Sequence, residues 1–354
     1  MRVIYVGVND GTSRSRYKAL RQLEPNTNFF TIDDYTRGLG RWGRFFERNA
    51  FFGRRAWRAN SDLLKACREH EPDIVWVDKS VWVWPATLKA LRRRNLFLVH
   101  HFTDALFPRD PQTLWAYMLL RRNIRLFHLN FTTNIDDFES LRRRGQVAVE
   151  LTYLAFDHER FDDTPLSDDV AQRWAAEVVF IGHHEPRTER FVRGLLEAGI
   201  PIRVYGWGWG RRPIARSFPQ SIVGKMLSDV DYVSAIKGAK IALCCVSQMN
   251  YNQTAARSYE IPACGTFLLA MRTPQHLESY VEGKEAEFFE TPEELVGKAR
   301  FYLDHDAERR EIARAGHNRC VKDEYTWARY MRDDWMRTTA AFSRWKARGS
   351  SAGE

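Results

Sequence analysis

Short apolar runs, many of them β-branched, recur along the chain with amphipathic stretches between them. Val3–Val6, Phe29–Ile32, Ile74–Asp78, Phe97–His100, Leu126–Phe131 and Val147–Leu151 form a first set, and Ser15–Leu23 and Pro85–Arg94 lie between them with helical spacing. Continuous apolar strands alternating with helices predict a parallel sheet covered on both faces. From Asp157 to Asp169 the chain turns acidic and polar around Pro165, the composition of a linker. The pattern then restarts. Strands are predicted at Val178–Ile181, Ile202–Tyr205, Ile241–Cys245 and Thr266–Ala270, with helices around Glu189–Ala198, Val230–Gly238 and Gln253–Ala263. The reading is two consecutive doubly wound α/β domains, 1–160 and 170–325. Helical patterns continue from Pro292 to Trp345. Residues 326–345 are expected to form a C-terminal helix returning to the first domain, and the Gly/Ser-containing Lys346–Glu354 a disordered tail.

A length of 354 residues suits two domains at about 150 residues each, and 44% hydrophobic content suffices for two cores. No basic start with an apolar run and cleavage site opens the chain, and no apolar run nears the ~20 residues of a membrane span, so a cytoplasmic protein is expected. Cys67, Cys244, Cys245, Cys264 and Cys320 are odd in number and form no C-x-x-C pair, which excludes a disulfide framework or a zinc site. The net charge of +9 admits nucleic acid, an anionic membrane surface or an anionic small substrate. No groove-reading module accompanies it, so no nucleic-acid partner is expected.

In open parallel sheets ligands bind beyond the carboxyl ends of the strands. On the first domain that rule selects Gly7 and Asn9 after Val6, Lys79 after Asp78, and His101 and Asp104 after Val99. On the second it selects three loops. In Val178–Arg190, Gly182 ends a strand and Pro186 fits the first turn of a helix, whose N-terminus favours phosphate. Arg187 and Arg190 share a face there and either neutralise a diphosphate or pair with Glu185 and Glu189 at the surface. Tyr205–Gly210 alternates glycine and tryptophan: Gly206 allows close approach to a ligand, or simply makes a tight turn after the strand. In Asn252–Gly265 a helix is expected from near Gln253, placing Thr254, Arg257 and Ile261 on one side. Arg257 suits a pyrophosphate and Glu260, one turn on, the hydroxyls of a ribose; the alternative is a surface Arg–Glu pair. Gly265 would be the C-cap.

The stretch Ala256–Ala270, ARSYEIPACGTFLLA, resembles the R-x-x-E-I-x-A-C-G-x-x-L-L segment of spore-maturation CgeB-like glycosyltransferases. Val179-Phe-Ile-Gly to Arg190, Val204-Tyr-Gly-Trp-Gly-Trp209, Ile241-Ala-Leu-Cys, and Glu293-Glu-Leu with Arg309–Gly316 resemble further motifs of that family in the same order. Leu154-Ala-Phe-Asp157 is similar to the segment closing its acceptor domain. The resemblance implies a GT-B fold, two Rossmann-like domains facing across a cleft, and transfer of a sugar from a nucleoside diphosphate to a hydroxyl of a surface glycan, glycolipid or protein. It implies that Glu260 holds the ribose, that Arg187 or Arg190 with Arg257 holds the diphosphate, and that Gly182 and Gly206 line the nucleotide. Retention of anomeric configuration follows from the resemblance alone.

Two departures stand out. Asn252 lies where related retaining enzymes often carry a second glutamate, and His100-His101 with the single Asp104 stands in place of a paired aspartate. An inverting reaction needs a base, with His101 or Asp104 best placed. No Asp-x-Asp clamp ends a strand; Asp229 and Asp231 lead into a helix and are expected to cap it. No metal and no cofactor beyond the nucleotide-sugar substrate are therefore expected. A GT-B-type epimerase and a non-catalytic sugar-nucleotide or nucleic-acid binder are the alternatives. Finally, 37–58 interleaves Arg41, Arg44, Arg48, Arg54, Arg55 and Arg58 with Trp42, Phe45, Phe46, Phe51, Phe52 and Trp57. It would either lie on an anionic inner membrane face or pack its aromatics on the sheet; one apolar face is normally a core feature.

Overall fold

The computed structural model describes residues 1–36, 38, 53–108, 114–115, 117–145 and 147–350. The chain divides into two compact units, 1–153 with 249–251 and 327–354, and 154–248 with 252–326.

Among the described residues, unit 1 holds a parallel sheet of β1 (Val3–Gly7), β2 (Thr27–Thr31), β3 (Ile74–Asp78), β4 (Phe97–Phe102), β5 (Leu129–Thr132) and β6 (Val149–Leu151) in the order β2-β1-β3-β4-β5-β6. Its longer helices are α1 (Gly11–Leu23), α2 (Arg54–Glu69), α3 (Pro85–Arg93), α4 (Met118–Asn123) and α5 (Ile135–Arg144). The central strands β1 and β3 are buried along their whole length, as strands covered on both faces must be. Local chemistry sets the helix ends. The Asn134 side chain accepts from the Asp137 amide to start α5, and Gly145, at φ 61°, ends it in the left-handed conformation.

Unit 2 repeats the plan with α6 (Asp168–Trp174), β7 (Ala176–Ile181), α7 (Pro186–Glu197), β8 (Ile202–Tyr205), α8 (Asp229–Lys237), β9 (Ala239–Cys244), α9 (Arg257–Ala263), β10 (Phe267–Met271), α10 (Pro274–Ser279), β11 (Glu287–Phe289), α11 (Pro292–Asp304) and α12 (Asp306–Lys322). Its sheet runs β11-β10-β9-β7-β8, all parallel. The last helix, α13 (Trp327–Ser350), belongs to unit 1. It buries Trp327, Met331, Asp334, Thr338 and Phe342 at helical spacing and packs on α1.

Several expectations need correction. The Leu126–Phe131 run is two elements: a 3-10 turn at Ile124–Leu126, then β5 from Leu129. Leu126 and Phe127 pack into the core without joining the ladder, so apolarity alone misplaced the strand. β11 escaped notice because three residues carry no period. Lys346–Ser350 continue α13 rather than forming a disordered tail, because Phe342 and Trp345 hold the helix against Phe97, with ring centroids 5.7 and 5.5 Å away; 351–354 lie outside the described residues. So do Arg41, Trp42, Arg44, Phe45, Phe46, Arg48, Phe51 and Phe52 of the basic aromatic segment. Its remaining part begins α2, which buries Ala56 and Ala59 but leaves Trp57 63% exposed, so that ring does not pack on the sheet. All five cysteines are buried and unpaired. Among the described residues no helix is long and apolar enough to cross a membrane.

Candidate functional site

The order of the unit 2 sheet fixes one distinctive place. From β7 the chain moves outward to β8, then returns to the other side of β7 for β9. The loops after β7 and β9 therefore diverge and leave a crevice between their carboxyl ends. Gly182 follows β7, Cys245 follows β9, and Arg257 begins α9.

Arg257 reaches into this crevice. Its Nη2 donates to the Cys245 carbonyl at 3.4 Å, its guanidinium carbon lies 5.7 Å from the Phe180 ring centroid, and a Cβ on Gly182 would stand 3.4 Å from Nη2. Its Nε is buried with no hydrogen-bond partner, and it makes no ion pair among the described residues. Burial opposes its charge, but the surrounding Tyr232, Cys244 and Glu260 hold its pKa above the ordinary value. A permanent cation with an unused donor at a strand switch point is a site for an anion.

One turn along α9, Glu260 is buried, and its Oε2 accepts from the Tyr232 hydroxyl at 2.6 Å. Burial raises its pKa, against the Tyr232 bond and the Arg257 charge. Its Oε1 has no hydrogen bond among the described residues, which leaves an acceptor for a hydroxyl. Arg257 and Glu260 thus face the interior of the site and are not the surface pair.

The glycines have physical causes. Gly206 sits at φ 125°, and a Cβ there would come within 2.1 Å of the Gly182 carbonyl oxygen. Gly182 donates its N–H to Tyr205 at 3.0 Å, and its carbonyl accepts from Trp209 Nε1 at 2.9 Å. The two strand ends therefore touch backbone to backbone, which only glycine permits. Gly206 is spent on this contact. Trp209 is fully buried and braces Gly182, whereas Trp207 is 66% exposed.

The helix expected from Gln253 begins at Arg257 instead, and Thr254 lies before it, buried, with its hydroxyl 3.4 Å from Gln275 Oε1. The Ser258 hydroxyl explains the late start, since it accepts from the Ala255 amide at 3.0 Å. Ser258 in turn lies 2.7 Å from His276 Nε2, whose Nδ1 meets the Met271 carbonyl at 2.7 Å. Burial lowers the His276 pKa to about 4, so the ring stays neutral and holds α9 in place. Gly265, at φ 69°, donates to the Pro262 carbonyl and ends α9, a structural role.

Pro186 opens α7 at its first turn. Glu185 pairs with His183 at 3.0 Å, and Glu189 with His184 at 2.6 Å and Arg193 at 2.9 Å. Arg187 and Arg190 are left without an ion pair among the described residues. Arg187 lies 5.9 Å from the Phe191 ring centroid, half-buried, and burial lowers its pKa; Arg190 is exposed. The cap of α8 is Ser228, which accepts from the Asp231 amide; Asp229 and Asp231 occupy the first turn, and Asp229 pairs with Arg160 at 3.1 Å.

In unit 1 the expected residues separate. His101 is fully buried, 3.9 Å from Asp78, and burial with the nearby Arg16 charge lowers its pKa well below the ordinary range. It presents no atom to an acceptor. His100 is equally buried, accepting from the Ser80 amide at 3.2 Å beside Asn130. Gly7 is packed by its own neighbours: a Cβ there would meet Ser13 Oγ at 2.6 Å. Asn9 is exposed, with its amide bonded to Asp33 at 2.8 Å. Lys79, at φ 55°, pairs with Asp104, which also accepts from the Tyr117 hydroxyl at 2.9 Å and from Asn250 Nδ2 at 3.0 Å, Met249–Tyr251 being part of unit 1. Burial works against the charge on Asp104, but the Lys79 cation prevails and holds its pKa below the ordinary carboxylate value.

Sequence reasoning missed Tyr232, Ser258, His276, Tyr117 and Asn250. They act through contacts distant in sequence, and no local spacing signals them.

Two parallel Rossmann-like sheets with these strand orders define the GT-B fold of glycosyltransferases. Residues 187–333 match the family model described as "Glycosyl transferase-like". Over 97% of this chain and 100% of its own length, sucrose-phosphate synthase from Thermosynechococcus elongatus superimposes with a TM-score of 0.71 at 14% identity. Anabaena HepE, solved in complex with UDP and glucose, does so over 96% of this chain and 100% of its own, at TM-score 0.66 and 12% identity. A putative UDP-N-acetylglucosamine 2-epimerase from Listeria monocytogenes covers 97% of this chain and 98% of its own, at TM-score 0.61 and 12% identity. No curated protein sequence matches. The structural relatives share this GT-B fold, and the family model adds a likeness to glycosyl transferases over residues 187–333.

Proposed function

We propose that the protein transfers a sugar from a nucleoside diphosphate to an acceptor hydroxyl, with the donor held in unit 2. The carrying observation is Arg257, a cation with an unused buried donor in the β7/β9 crevice. It would bind the diphosphate and stabilise the charge that builds there as the sugar departs, in a position fixed before reaction begins. Arg187, at the start of α7, would assist it. Glu260, oriented by Tyr232, would accept from the ribose hydroxyls. HepE was solved with UDP and with UDP-glucose, which supports a uridine nucleotide here.

Asp104 is the remaining candidate base. Its pairing with Lys79 keeps it ionised and a weak base, which suits positioning of an acceptor and supports a retaining course. The run of motifs around Glu260 supports membership of the CgeB-like group, acting on a glycan, a lipid-linked sugar or a protein.

The test is a thermal-shift screen of UDP, GDP, dTDP, ADP and their sugars on the wild-type protein and on Glu260→Ala. One nucleotide should stabilise the wild type and fail with the variant. Proton NMR of donor incubated with and without acceptor then separates transfer from epimerisation, because an epimerase converts the nucleotide sugar to its isomer with no acceptor present. A folded protein that responds to no nucleotide would overturn the proposal.

A further inference from the structure

Unit 1 contains a cavity of about 310 Å³ beside α4 and α5 that the donor site does not use. Its floor is apolar: Leu106, Ile124, Leu141 and Val147 continue the small core around Phe102 and Leu120. Its rim is guanidinium. Arg121 donates to the carbonyls of Leu106 at 3.0 Å and Leu114 at 2.6 Å and lies over the Phe107 ring, so it shapes the wall. Arg122 and Arg144 are exposed and make no ion pair among the described residues. The carboxylate in the lining, Asp137, is turned to the backbone, accepting from the Leu106 amide at 2.7 Å. Phe107, also in the lining, is 52% exposed.

A free phosphate would use the arginines and leave the floor unfilled. A neutral apolar molecule would use the floor and leave uncompensated charge at the rim. Both parts are satisfied together by a molecule with an anionic head and a hydrocarbon tail, and an exposed aromatic ring beside basic side chains is suited to the headgroup region of a bilayer. We propose that this groove receives the phosphate headgroup and first acyl carbons of an anionic phospholipid and so docks unit 1 on a membrane surface. The proposal does not depend on the donor site.

The test is flotation of the full chain with vesicles of phosphatidylcholine alone or mixed with phosphatidylglycerol. Wild type should float only with phosphatidylglycerol and less as salt rises. Arg122→Glu/Arg144→Glu should lower the partition by about tenfold or more. Phe107→Ser should lower it by a few-fold with the salt dependence intact. Both variants should keep the melting temperature and nucleotide-induced shift of the wild type; if the charge reversal unfolds, Arg122→Gln/Arg144→Gln replaces it. The proposal is overturned by absence of flotation, by equal flotation on phosphatidylcholine, or by variants that float like wild type. It is overturned too if only Arg41→Glu/Arg44→Glu/Arg48→Glu abolishes flotation, or if inorganic phosphate at matched ionic strength releases the protein.

Discussion

Both sheets reverse direction beside their first strand, yet the two reversals are furnished differently. At the β1/β3 reversal of unit 1, Arg16 reaches Asp78 at 2.6 Å, the Tyr5 hydroxyl donates to the same carboxylate at 3.0 Å, and the Trp327 ring lies 4.9 Å from the guanidinium. Arg16 is only 2% exposed. At the β7/β9 reversal of unit 2, Arg257 is half-buried, meets a carbonyl at 3.4 Å and pairs with no described carboxylate. One topology thus yields one crevice closed by an internal ion pair and another left for an external anion to complete. The position in a fold marks where a ligand can bind, but the pairing of the charges there decides whether one is needed.

The sharpest way to separate the two is to remove each arginine. Arg16→Met leaves Asp78 buried and uncompensated, and should cost about 3–5 kcal/mol in urea unfolding while folded protein keeps its nucleotide affinity. A loss below about 1 kcal/mol would remove the contrast.

The closure of unit 1 by α13 can be read from pH. Asp334 is 2% exposed, accepts from the Thr152 hydroxyl at 2.9 Å, and has its pKa pushed up to about 7 by burial. Below pH ~4 the carboxyl is protonated in both folded and unfolded chains. Between there and about 7 the unfolded chain releases its proton first, so stability falls as pH rises, by on the order of 1 kcal/mol per unit and roughly 2–4 kcal/mol in all. Asp334→Asn should flatten that slope and be the more stable protein at high pH. Denaturant unfolding across the range checks it, and an unchanged slope would show that Asp334 titrates normally.

In unit 2, Gly206→Ala would force a Cβ against the Gly182 carbonyl at a left-handed φ, costing about 2 kcal/mol of stability by thermal unfolding. Little change would mean that the two strand ends are free to part. Arg257→Ala should spare stability and weaken nucleoside diphosphate binding about 10- to 100-fold by calorimetry, as loss of a charge-assisted contact requires. The smallest effect is expected from Tyr232→Phe, which frees Glu260 of its orienting bond and should cost about 1 kcal/mol of nucleotide affinity.

Much of this was legible in the sequence, and the reasons differ by element. Buried parallel strands such as Ile74–Asp78 and Ile202–Tyr205 declare themselves by unbroken apolar runs between helices. The Arg257–Glu260 spacing places both residues on one short helix whatever its start. What stayed hidden was pairing across distance. The approach of Tyr232 to Glu260, the bracing of Ser258 by His276, and the capture of Asp104 by Lys79 and Tyr117 leave no trace in local spacing. For the same reason His101 looked available from its place at the end of β4, whereas it lies fully buried beside Asp78 and close to the Arg16 charge.

The most direct test compares, by calorimetry, the nucleoside diphosphate that binds with its parent nucleoside, on wild type and Arg257→Met. If Arg257 completes the β7/β9 crevice by holding the diphosphate, wild type prefers the diphosphate strongly, the variant loses most of that preference, and nucleoside affinity is the same in both. Equal weakening for nucleoside and diphosphate, or none for either, would contradict the account.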